Sequence, residues 1–205
     1  LEASNSGQGQ VIDVAMVDGA AQLMWMFHNF QAMGAWNADE REANLLDGGA
    51  HFYGTYECAD GEYVAIGSIE PQFYALLLEK AGLSADEFGD QNNPALWPAL
   101  RDRLAEVFRQ KTRDEWCALM EGTDVCFAPV LRFTEAPSHP ANVARETYID
   151  VEGVVQPAPA PRFARTPSTV RHGAHGAGED TDSILTAMGF AEQEIQQLKA
   201  GGSVA

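Results

Sequence analysis

Positive charge is what this sequence has least of. Thirteen lysines and arginines face 30 aspartates and glutamates in 205 residues, a formal net charge of −17 with histidine neutral. Nucleic acid is bound through clustered Lys and Arg, so this balance argues against DNA or RNA as a partner. Cysteine is scarce too. Cys58, Cys117 and Cys126 are odd in number and widely spaced, which fits neither a disulfide framework nor a zinc site and points to a reducing, cytoplasmic setting. No apolar run reaches membrane-spanning length, and the best stretch, Leu23 to Phe30, is interrupted by His28 and Asn29. No signal-peptide pattern and no internal repeat are visible.

What is present is the material of a folded core: 45% hydrophobic and 21% charged residues, over a length suited to one large domain or one domain with extensions. Leu1 to Gly7 reads as a helix end closed by glycine, so the chain is expected to be a piece of something longer. Gln10 to Val14 alternates as a short strand would. Ala15 to Trp36 then carries Met16, Ala20, Leu23, Met24, Phe27 and Phe30 at helical spacing, which predicts a long, mostly buried helix. Charges after Asn37 and the Asp47-Gly48-Gly49 turn signal an exposed crossing, with a boundary near Leu46.

Phe52 to Cys58 and Tyr63 to Ile66 flank Asp60-Gly61, a hairpin signal. Helices are predicted over 71–81, 94–111 and 112–120, with prolines at first-turn positions and a capping-box pattern from Thr112 to Glu115. VCFAPV, 125–130, reads as a short strand. Residues 137–167 are rich in proline and poor in periodicity, so they are expected to cross a surface as an extended strap. Two short helices near 179–185 and 191–198 close the chain, with Gly189 between them. The pattern gives an α/β chain with an α+β middle: 1–46, 47–135 and 136–205.

Three stretches resemble one family: GQGQVIDVAMVDG at Gly7 to Gly19, YECADGEYVAIGSIEPQFY at Tyr56 to Tyr74, and HPANVARETY through PAPAPRFARTP at His139 to Pro167. In order and separation they are similar to the second half of the α-methylacyl-CoA racemases, a branch of the family III CoA-transferase (CaiB/BaiF) fold. The IEPQFY string is more typical of racemases than of transferases. The resemblance implies a large domain built from the first segment and the returning tail, a small domain from the middle, and an interlocked dimer. It implies proton removal beside an acyl-CoA thioester, passage through an enolate, and return of the proton on either face. The histidine and aspartate that do this belong to the family's first half. CoA is part of the substrate, and no separate cofactor is implied.

Glu70, before Pro71, matches a family active-site glutamate that shapes the acid/base pair; as an ordinary helix start it is expected to sit beside free N–H groups. Gly67 and Ser68 form a turn that can bring bare backbone close to a thioester, or else simply end a strand. His172 and His175 resemble a metal pair, but no third ligand stands at the right spacing, so no metal is expected. His28, His51 and His139 have no visible nucleophile partner, and the three cysteines read as buried thiols. Asp13 and Asp18 read as helix-start stabilisers. Two alternatives remain open: a CoA-transferase working through a covalent aspartyl-CoA thioester, and a non-catalytic binding or assembly subunit.

Overall fold

The computed structural model describes residues 1–204. By contacts the chain divides into two compact units, Leu1–Val130 and Leu131–Ala205.

The first unit begins with a single helical turn, α1 (Glu2–Ser6), closed by Gly7 in the left-handed conformation. Residues 10–14 are not a strand. The long buried helix is instead two short ones, α2 (Met16–Leu23) and α3 (Trp25–Ala32), and neither buries a single residue. Met16 is 92% exposed and Leu23 81%. The 3.6-residue spacing forms helices here, but among the described residues their apolar sides find only partial cover, chiefly where Phe27 packs edge-on against Trp36 at 4.9 Å. Around the Asp47 turn the expected exposed crossing is partly buried. The Asp47 carboxylate accepts from the Asn44 side chain at 2.7 Å and from the main-chain N–H of Asn44 at 2.8 Å and of Gly49 at 3.1 Å. Partial burial works to raise its pKa, and these bonds outweigh it and hold the carboxyl below its ordinary value.

The core lies under a three-stranded antiparallel sheet, β1 (Tyr53–Glu57), β2 (Tyr63–Gly67) and β3 (Phe127–Val130), in the order β1-β2-β3. Beyond the Glu57–Tyr63 pair the Cys58 N–H donates to Glu62 O at 2.8 Å and closes a loop of Ala59, Asp60 and Gly61, in which Gly61 takes the left-handed φ of 76°. Because strand side chains alternate, Tyr56, Val64 and Ile66 point to one face. There they join a buried cluster with Leu77, Leu104, Phe108 and Trp116. These come from α4 (Pro71–Ala81), α6 (Trp97–Phe108) and α7 (Arg113–Met120), while the short α5 (Ala85–Phe88) adds Phe88. The Thr112 capping box forms with both its bonds, so α7 starts where its sequence places it. The opposite sheet face is open. Tyr53, Thr55, Ala65, Gly67, Cys126 and Ala128 line a shallow groove of about 420 Å³ on it.

The second unit is more structured than the strap pattern suggests. After a 3-10 turn and α8 (Pro140–Ala144), β4 (Tyr148–Val151) and β5 (Val154–Pro157) form a hairpin. Glu152 and Gly153 both have positive φ, the signature of a type I′ turn that matches strand twist. Residues 158–170 then run without regular structure before α9 (Thr181–Ala187) and α10 (Glu192–Ala200), with Gly189 at φ 94° between them. Among the described residues no helix is long and apolar enough to cross a membrane.

Candidate active site

The segment Gly67–Glu70 links β2 to α4 and is fixed from several directions. Glu70 takes φ −72° and ψ 143°, the extended geometry that a following proline imposes, and Pro71 begins α4. Its carboxylate is exposed and makes no cap bond to the helix, so the expected seat among free N–H groups is not occupied. Proline itself removes one of those donors.

At Gly67 and Ser68 the backbone donors are engaged within the chain. The Gly67 N–H donates to Cys126 O at 2.9 Å, the Ser68 N–H to Phe52 O at 3.0 Å, and the Ile69 N–H to Gly67 O at 2.9 Å. Bare backbone donors for a thioester are therefore already spent at these three positions. Ser68 is wholly buried, and its Oγ donates to Val125 O at 2.5 Å, a tie across 57 residues. Gly67 does border the open-face groove, and a methyl added there would meet the Tyr53 ring at 3.6 Å.

Two buried polar residues near this segment carry no sequence signal. Gln91, between α5 and α6, places Nε2 at 3.0 Å from both Ser68 O and Ile69 O, and its own carbonyl accepts from the Trp97 indole at 2.8 Å. His51 is fully enclosed, its Nε2 2.7 Å from the Tyr74 hydroxyl. That hydroxyl donates to Phe88 O at 3.0 Å, so it is free to accept, and Nε2 carries the proton. Nδ1 is then a bare lone pair with no partner among the described residues. Burial favours the neutral ring and pushes its pKa down to about 4. A lone histidine beside a turn gave no hint of this, because its partners Tyr74 and Phe88 lie far along the chain.

Residues 1–181 match the family model described as CoA-transferase family III. The chain belongs to that family. It is 46% identical to mouse α-methylacyl-CoA racemase over 97% of its length and 43% identical to the human α-methylacyl-CoA racemase over 98%. It spans about half the length of these relatives, 52% and 53%. A crystal structure of a CAIB/BAIF family protein from Brucella suis shares the fold, with a TM-score of 0.68 over 91% of this chain and 50% of that one, at 23% identity.

Within this family III chain the thiols differ from one another. Cys58 is buried and Cys117 partly so, and burial pushes both thiols up to about 11. Cys126 is instead exposed, at φ 59° just before β3, which corrects the reading of three buried thiols. Desolvation and then the charge of Glu70 raise its pKa. His172 and His175 stack at 4.2 Å, and His175 Nδ1 lies 2.7 Å from Asp180, which raises the pKa of the ring. Among the described residues no group of three His, Cys, Asp or Glu side chains is placed to hold a metal ion.

Proposed function

We propose that this chain is the C-terminal part of an α-methylacyl-CoA racemase acting on 2-methyl-branched acyl-CoA thioesters. The observation that carries the reading is identity of 43 to 46% with two mammalian racemases along almost the whole chain. In the proposed reaction a base takes the α-proton and its electron pair moves into the C–C–O system of the thioester. The resulting enolate is reprotonated by an acid on either face. These two groups, a histidine and an aspartate, are assigned to the family's first half. No separate cofactor is assigned, because CoA belongs to the substrate.

In this scheme Glu70 faces the acid/base pair, orients the histidine and raises its basicity as an ionised carboxylate. Gly67 contributes the edge of the open-face groove rather than hydrogen-bond donors, and Ser68 holds the segment in place from within the core. Segment 1–46 and the tail from 136 complete the large domain, 47–135 is the small domain, and two complete subunits interlock. The proposed setting is the cytoplasm and the metabolism of branched fatty acids.

The test is α-hydrogen exchange of 2-methylacyl-CoA in deuterated buffer without an acceptor acid, which a racemase performs and a CoA-transferase does not require. The complete protein should exchange and the 205-residue chain alone should not. Glu70→Gln in the complete protein should lower exchange by roughly 10² to 10⁴-fold with little change in melting temperature. Full exchange by the isolated chain, or an unaffected Gln variant, overturns the assignment of roles.

A further inference from the structure

We propose that Gln91 is the positioning residue of the site, acting through the backbone to set the direction of the Glu70 carboxylate. The side chain of Gln91 is buried and its amide nitrogen has two hydrogens. Both are used, one on Ser68 O and one on Ile69 O, each at 3.0 Å. These are the carbonyls of the two residues immediately before Glu70. Gripping both fixes the planes of the two peptides that lead into Glu70, while the N–H groups of Phe73 and Tyr74 hold the Glu70 carbonyl on the other side at 3.0 Å, so φ and ψ of Glu70, and with them its Cα–Cβ direction, are set from both ends.

The grip is itself anchored. The main-chain carbonyl of Gln91 accepts from Trp97 Nε1 at 2.8 Å, so residue 91 is tied to the first residue of α6. On the far side, Ser68 N–H and Oγ are tied to Phe52 and Val125, from β1's approach and β3's approach respectively. The chain before Glu70 is thus held by hydrogen bonds from three separate parts of the sequence. Few side chains replace Gln91: asparagine is one methylene short, glutamate ionised has no donor, and leucine leaves two buried carbonyls unpaired. A carboxylate that is exposed and uncapped has no restraint of its own, so its aim depends on the backbone that carries it.

The inference rests on the Glu70 role proposed above, and a double-mutant cycle in the complete protein separates the two. Gln91→Leu should lower kcat for α-hydrogen exchange on the order of 10 to 10²-fold with KM within about twofold, because misaim affects the reacting geometry and not substrate capture. In the Glu70→Gln background the same change should cost almost nothing further. Gln91→Glu, which keeps size and shape, serves as the second variant if the leucine protein does not fold. In the 205-residue chain, amide hydrogen exchange over 67–74 should accelerate in Gln91→Leu while β1 and β2 stay protected. An unchanged kcat in both Gln91 variants, or additive losses in the double variant, overturns the proposal. An unaffected Glu70→Gln overturns the underlying role of Glu70 instead.

Discussion

His51 enters the core as a neutral ring with one nitrogen satisfied and the other bare, and this makes it the acid-sensitive point of the first unit. Its folded pKa, about 4, lies below the ordinary histidine value near 6.5. Between those two values the unfolded chain binds a proton that the folded chain refuses, so stability falls as pH drops through that window and levels off below it. The loss should reach up to about 3 kcal/mol. His51→Phe removes the titrating group while keeping an apolar ring, so its denaturant midpoint should be much flatter between pH 6.5 and 4; urea titrations at several pH values check this. The extended backbone at Glu70 was legible from its sequence because Pro71 fixes it locally. Gln91 and His51 were not, because what makes them matter is a partner 22 or 23 residues away.

Elements with a local instruction formed where that instruction stood. Pro71 and Gly82 bound α4, and Thr112 with Glu115 starts α7. The β4–β5 hairpin carries little local signal, because its turn is Glu152-Gly153 rather than an Asn-Gly or Asp-Gly pair and prolines interrupt the alternation around it. Glu152 is held at φ 56°, which a non-glycine residue adopts at a cost. Glu152→Asn should therefore raise the melting temperature modestly, the gain being on the order of 0.5 kcal/mol, while Gly153→Ala should lower it by about 1 kcal/mol. Thermal denaturation followed by circular dichroism distinguishes the two. For α2 and α3 the periodicity specifies helix, but burial depends on what lies opposite, which a local pattern does not encode.

At the scale of the whole chain, those two helices leave Met16, Val17, Leu23 and Trp25 more than half exposed. Apolar surface of that extent is normally covered by another polypeptide surface. The 205-residue chain should therefore associate at micromolar concentration; light scattering should give a mass above 22.2 kDa, and a monodisperse particle of that mass would refute the expectation. The family was legible from three motifs spread over the chain. The reacting acid and base were not, since the resemblance assigns them to a half of the family that these residues do not include.

The tie from Ser68 to Val125 also sets an order of events during synthesis. The β1–β2 hairpin pairs neighbours in sequence and can form as soon as residue 67 has emerged, with α4 following. The segment before Glu70 still lacks its grip from Gln91 at that moment, and its last anchors, the carbonyls of Val125 and Cys126, begin to arrive only 57 residues after Ser68, at the threshold of β3. A growing chain thus holds a formed helix behind an unaimed carboxylate until the third strand docks, and the geometry on which the chemistry would depend is among the last features of the small domain to mature.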